Sequence, residues 1–304
     1  MRDSNEGRKM AGSTIPPAPF LESASMCPSA DIQTRSGERS TTARINYLAE
    51  TDIRPEVWNE DFSRNILPLV PVDVRIADGR TLADPPRLDR EGFALLPHET
   101  AVAELANNVE ASEPYRRALQ DMLLAVTGAD RVDMAANSVV RRARPPGEAD
   151  HDSGLPVPFI HCDCSEAGVW YMLEWAYPKA PDRKIARVAL FNLWRLLSPG
   201  PTDLPLAVCD ARSVAPGDVV AGDSRFLTSG ISFESGFVRA NPDHRWVYFP
   251  DMRTDEVLVF KQYDSDRRFA LQCPHTAFHD ASCPPGPAPR VSIESRAACY
   301  WFAD

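Results

Sequence analysis

His161 and Asp163 stand two residues apart, His275 follows far downstream, and Arg290 and Ser292 close the series. Two imidazoles and one carboxylate can occupy one face of an octahedral ferrous ion and leave the opposite face open. On an extended segment side chains alternate, so Phe159 to Cys164 would show His161 and Asp163 on one face and turn Cys162 and Cys164 away. An HxD triplet alone is a common pattern, and the downstream residues give it weight. The planar guanidinium of Arg290 suits a carboxylate gripped through two parallel hydrogen bonds. Ser292, two along on a strand, would add a hydroxyl on the same side. The set predicts Fe(II) with a carboxylate-bearing co-substrate, the equipment of an oxygenase.

His275 is the preferred third ligand, with His244 and His279 as competitors. His279 lies four residues from His275, but the glutamate of a zinc-peptidase HExxH motif is missing. His98 and His151 fall in expected loops and read as solvated.

The elements that must position these residues are mostly strands. Val72 to Ile76 alternates apolar and polar residues, and Leu88 to Leu96 reads as a turn leading into a strand. Two helices are expected next. Thr100 would cap the first, with Val102, Leu105 and Val109 on its apolar face. Ser112 would cap the second, with a stripe of Leu119, Met122, Leu123 and Val126 and a stop at Gly128. Arg141 to Pro158 reads as a loop. Short β-rich runs follow at Phe159–His161, Arg187–Trp194, Leu204–Cys209, Arg245–Phe249, Glu256–Phe260 and Val291–Phe302. Such spacing predicts a sandwich or barrel: a mainly β jelly roll with flanking helices, one domain over 45–304 with a helical insert near 100–127. Residues 1–44 offer little apolar surface to offset the entropy of ordering and read as a disordered leader.

Bulk composition removes several functions. The chain has 304 residues, 43% hydrophobic and 25% charged, with a formal net charge of −10. That charge disfavours phosphate backbones and anionic bilayers, so no nucleic-acid or membrane partner is expected. No apolar run approaches the roughly 20 residues of a membrane span, and the start lacks the apolar block of a secretory signal. Seven cysteines, an odd number without a CxxC pair, argue against both a disulfide framework and a structural zinc module. A cytoplasmic enzyme is the expectation.

Longer stretches carry a resemblance. Phe191-Asn192-Leu193-Trp194-Arg195, Pro205 to Val214, His244 to Met252, Glu256 to Ser265, Pro274 to Phe278 and Pro289 to Arg296 occur in the order found in the GA4 desaturase, AsaB and CmcJ-like hydroxylase/desaturase family. The chain resembles that family from about Asn46 to its C-terminus. It departs at Cys164, Leu196 and Val291, where relatives usually carry an aromatic, Pro and Glu. The resemblance implies a double-stranded β-helix, Fe(II), 2-oxoglutarate and O2, and a small-molecule substrate of specialised metabolism such as a terpenoid acid, polyketide or amino-acid derivative. It carries over His161, Asp163 and His275 as metal ligands and Arg290 with Ser292 as the 2-oxoglutarate clamp. Hydroxylation, desaturation and oxidative cyclisation are all open outcomes.

Substrate contacts are sought among Asn192, Trp194, Arg195, Arg212, His244 and Lys261. Strand alternation turns Arg195 away from the face that Asn192 and Trp194 share. Glu294 and Arg296 are candidates to orient ligands. Two further classes fit the triad: a cupin-like metalloenzyme without 2-oxoglutarate, which Arg290 and Ser292 argue against, and a non-catalytic jelly-roll partner subunit.

Overall fold

Strand after strand alternates between a face that packs on the opposite sheet and a face that packs outward. The computed structural model describes residues 37–99, 105, 113–143, 154–177 and 181–304. In chain order the strands are β1 (Ser40–Leu48), β2 (Glu56–Trp58), β3 (Leu69–Asp78), β4 (Phe93–Pro97), β5 (Arg131–Met134), β6 (Val139–Arg142), β7 (His161–Cys162) and β8 (Ile185–Leu196). They continue with β9 (Leu206–Cys209), β10 (Val219–Arg225), β11 (Ser232–Val238), β12 (Trp246–Tyr248), β13 (Glu256–Asp264), β14 (His275–Ala277) and β15 (Val291–Phe302). Helix α1 spans Glu113–Thr127 and α2 spans Gly168–Ala176.

Nine strands form one sheet in the order β1-β3-β12-β9-β14-β7-β11-β10-β2. The second sheet runs β4-β13-β8-β15-β5, with β6 also paired to β15. Phe93, Trp194, Leu258 and Phe260 of the smaller sheet share a buried cluster with Leu206, Val208 and Val247 of the larger one. Two curled, facing sheets of this kind are the expected jelly roll.

The outer face of the smaller sheet is covered by α1. Tyr115, Leu119 and Leu123 recur every fourth residue and pack on Phe191, Leu193, Val259 and Ile293. Gly128 takes φ +64° just past the helix and ends it, as a left-handed C′ residue does. Val126, expected in the apolar stripe, is 46% exposed; it sits in the last turn, past the residues that reach the sheet.

Several boundaries differ from expectation. β1 begins at Ser40, so 40–44 are strand rather than leader, held by pairing Ser40–Leu48 against Ala77–Leu69. Arg141 and Arg142, expected to open a loop, close β6 and pair with Ser292 and Val291. The hairpin β10–β11 and helix α2 add to the expected elements. Gly, Ser and Asp dilute the apolar pattern of that hairpin. Yet Gly222 and Gly236 are needed there, since a Cβ would lie 2.5 Å from the Pro55 carbonyl oxygen and 2.6 Å from a Val219 methyl. The helix expected from Thr100 lies outside the described residues except Leu105, which is buried. Ser112 and His151 also lie outside them.

Candidate metal centre

β7 and β14 pair antiparallel with His161 directly opposite His275. Side chains at directly opposed positions share a face, so this one register closes the long sequence gap between the two histidines. Their ring centroids are 4.2 Å apart. Each ring is tethered through Nδ1, His161 to the Phe159 carbonyl at 3.1 Å and His275 to the Cys273 carbonyl at 3.2 Å. With Nδ1–H donating to a carbonyl, the Nε2 lone pair is presented outward, the arrangement usual for metal-binding histidines. Burial disfavours the charged form of both rings, pushing His161 down to about 3 and lowering His275. Neutral imidazoles are the form that binds metal.

Asp163 lies one residue past β7, so strand pairing does not hold it. Its backbone N–H donates to Gln262 Oε1 at 2.9 Å, and its carbonyl accepts from Ser235 Oγ at 2.9 Å. A β-bulge between Lys261 and Tyr263 delivers Gln262 to this point, and re-aiming a side chain beside a site is a common use of bulges. The Asp163 carboxylate divides its oxygens. Oδ2 accepts from Asn192 Nδ2 at 2.9 Å and Arg296 Nε at 2.7 Å. Oδ1 lies 3.7 Å from the Nε2 atoms of both His161 and His275. Burial works against its charge, but Arg296, the two histidines and Asn192 outweigh it and hold the carboxyl well below its ordinary range.

The ligand atoms of His161, Asp163 and His275 all lie within 4.8 Å of one another. Metal bonds of about 2.1 Å allow two ligand atoms to be at most about 4.2 Å apart, so Asp163 Oδ1 and either Nε2 can meet on one ion. Two imidazoles and one carboxylate, with no thiolate, form the donor set of a non-haem Fe(II) oxygenase.

β15 lines the opposite wall. Period-two alternation puts Ser292, Glu294 and Arg296 on its inner face, opposite Leu196, Trp194 and Asn192 of β8. Arg296 Nη2 donates to Glu294 Oε1 at 2.6 Å, so one guanidinium links two carboxylates. Arg290, just before β15, is 1% exposed. Its Nε donates to Ser292 Oγ at 3.2 Å and its Nη1 to the Leu204 carbonyl at 2.7 Å. Trp194 lies beside it, 5.0 Å from guanidinium carbon to ring centroid. Burial first, then the charge of Arg141, pushes Arg290 down to about 9. A narrow cavity is lined by His161, His275, Arg290, Trp194, Glu294 and Arg141 among others.

The expected substrate residues divide sharply. Trp194 lines the cavity. Asn192 is buried and orients Asp163 instead. Arg195 points outward under α1, donating to the His98 carbonyl and bonded to His98 Nδ1. His98 is therefore buried rather than solvated. Arg212 pairs with Asp210 at 2.7 Å and Glu91 at 2.8 Å. Lys261 is fully buried against Asp264 at 2.7 Å. His244 sits between Tyr47 Oη and Asp218 Oδ2, each at 3.1 Å. Each of these last three satisfies local polar partners, and none lines the metal cavity. His279 is exposed and stands outside the ligand cluster. Gln262, Ser235 and Arg141 escape a reading of the sequence: a bulge and two registers place them, and none forms a motif.

The family described as "Oxidoreductase/YMDC permease-like domain" matches residues 41–300. Among the described residues no helix is long and apolar enough to cross a membrane. The hydroxylase/desaturase efuI of Hormonema carpetanum is 33% identical over 287 residues, 84% of this chain and 94% of that protein. The Fe(II)/2-oxoglutarate-dependent dioxygenase nvfI of Aspergillus novofumigatus is 27% identical over 241 residues, 76% of this chain and 84% of its own. A solved variant of the iron and alpha-ketoglutarate-dependent endoperoxidase NvfI superposes with a TM-score of 0.72 at 22% identity, covering 87% of this chain and 100% of that one, and supports the fold. The chain belongs to this oxidoreductase family, among its Fe(II)- and 2-oxoglutarate-dependent hydroxylase/desaturase members.

Proposed function

We propose that this chain oxidises a small specialised metabolite with Fe(II), 2-oxoglutarate and O2, using His161, Asp163 and His275 as metal ligands and Arg290 as the grip on the far carboxylate of 2-oxoglutarate. One observation carries the assignment: three ligand atoms converge while every other polar atom of those side chains is tethered, and a buried arginine faces the same cavity. When bound, Fe(II) with 2-oxoglutarate supplies the oxidising power that removes hydrogen from an unactivated carbon.

The chain's own residues do the rest. Phe159 and Cys273 hold the two imidazoles through their backbone carbonyls. Asn192 and Arg296 hold the carboxylate charged and turn one oxygen toward the metal. Ser292 and the Leu204 carbonyl lock the fork of Arg290, so the co-substrate meets a fixed donor rather than a flexible one. His275, Trp194, Arg290 and Glu294 of the cavity wall are buried, and burial strengthens each ionic contact. The six described cysteines are free thiols, which fits a reducing compartment, and we place the enzyme in the cytoplasm. The jelly roll from Ser40 onward acts as one catalytic domain.

Anaerobic titration of the Fe(II)-loaded protein with 2-oxoglutarate tests the reading through the weak visible absorption of the chelate. A band that the wild-type protein forms, and Arg290→Ala forms only at much higher 2-oxoglutarate, is the expected result. Stoichiometric iron with no band at any concentration sinks the proposal and favours a metalloenzyme that does not use 2-oxoglutarate.

A further inference from the structure

Trp194 and Leu206 each wall two neighbouring spaces. On one side is the narrow metal cavity, which they line with Arg290 and the two histidines. On the other is an inner chamber of about 270 Å³, bounded also by Leu196, Phe249, Met252 and Leu258. The metal cavity holds only about 20 Å³, room for little more than one water molecule. A ligand that reaches from the metal to Arg290 therefore gains its space by moving a wall. Among the described residues, these two side chains are the walls that line both spaces.

Strand register says at which end the reserve volume lies. Along β8, Asn192 opposes Arg296, Trp194 opposes Glu294 and Leu196 opposes Ser292 of β15. Asn192 and Arg296 mark the metal end, because both hold Asp163. The chamber takes in Trp194 and Leu196, so it lies toward the Ser292 end, where Arg290 grips the far carboxylate in the reading above. Trp194 is the larger of the two shared walls, and its ring lies 5.0 Å from the Arg290 guanidinium carbon. The indole thus fills the space into which a longer chain between metal and Arg290 would bow.

We propose that Trp194 determines which 2-oxo acid the site accepts: its indole limits the chain to the length of 2-oxoglutarate, and the chamber behind it is the volume a longer 2-oxo diacid would take. This rests on the oxygenase reading above and adds a specificity-determining residue to it.

The test uses the full-length protein, anaerobic and loaded with Fe(II), as wild type, Trp194→Phe, Trp194→Ala and the double variant Trp194→Ala/Met252→Trp. 2-Oxoglutarate and 2-oxoadipate, longer by one methylene, are titrated against each, with the chelate absorption and calorimetry as readouts. A misfit of one methylene is worth about 10–200-fold, so the wild type should bind 2-oxoglutarate more tightly by about tenfold or more. In Trp194→Ala that ratio should fall below about threefold, and Trp194→Phe should lie between. Both acids should bind more weakly to these variants, because Arg290 loses a packed neighbour, but a loss common to both leaves the ratio unchanged. Met252 lines the chamber and not the metal cavity, so tryptophan there refills the chamber and should restore the preference for 2-oxoglutarate. Trp194→Phe keeps an aromatic ring in the core, and its ratio decides the matter if the alanine variants do not fold. Equal affinity of the wild type for the two acids, or a wild-type ratio in Trp194→Phe and Trp194→Ala, overturns the proposal. So does a ratio that stays low in the double variant, which would assign the selectivity to a loosened Arg290. Absence of the chelate band in the wild type is a different result: it removes the oxygenase reading itself.

Discussion

The two faces of β8 differ as two proteins might. Outward, Phe191 and Leu193 pack on Leu119 and Leu123 of α1 in a continuous apolar layer. Inward, Asn192 reaches Asp163, and Trp194 walls the cavity beside Arg290. Adjacent residues on one strand therefore belong to different problems. The outward set is exchangeable for other apolar side chains of similar volume. The inward set is constrained by hydrogen-bond geometry at a single carboxylate. Stability and chemistry are interleaved with a period of two, so a substitution's effect depends on the parity of its position.

That contrast can be broken most severely at the ligand itself. Asp163→Ala removes the one anion facing both Nε2 atoms and strips the mostly buried Arg296 of this carboxylate. Stoichiometric iron binding, read by metal analysis after desalting, should be lost. Full iron occupancy in that variant would move the site elsewhere. Next comes the outward face. Leu193 is fully buried, and Leu193→Ala should cost about 2–5 kcal/mol, as loss of a core leucine does. The cost is read as a fall in denaturant midpoint, while the folded fraction still binds iron. Asn192→Ala should do the reverse. Loss of one hydrogen bond to a metal-bound carboxylate weakens metal affinity by roughly 10–100-fold, with a smaller change in midpoint than Leu193→Ala. If the two neighbours shift stability and iron affinity in the same proportion, the division of labour on β8 is wrong.

Legibility in the sequence follows the same line. His161, Asp163 and His275 stand out by residue type, and Glu294 and Arg296 follow from alternation along β15. Asn192 is expected in the pocket because alternation gives the face but not the partner. Arg212, His244 and Lys261 depart from expectation for a related reason. A charge is visible in sequence, while the carboxylates that engage these three, Asp210, Asp218 and Asp264, are identified only by packing. Gln262 depends on a bulge, and Arg141 on the pairing of a four-residue strand with β15. Neither device leaves a local composition signal.

The smallest expected effect tests the outer layer at its margin. Val126 and Leu123 both belong to the stripe that helical periodicity predicts, yet Leu123 is 0% exposed and Val126 is 46% exposed. Leu123→Ala should therefore cost about 2–5 kcal/mol. Val126→Ala forfeits little burial and replaces a β-branched residue with a better helix former, so its midpoint should stay within about 0.5 kcal/mol of wild type. A large loss at Val126 would mean that the segment before α1, or another chain, covers that turn. Equal small effects at both positions would instead mean that α1 contributes little to the outer face of β8. The contrast between the two faces would then rest on the inward residues alone.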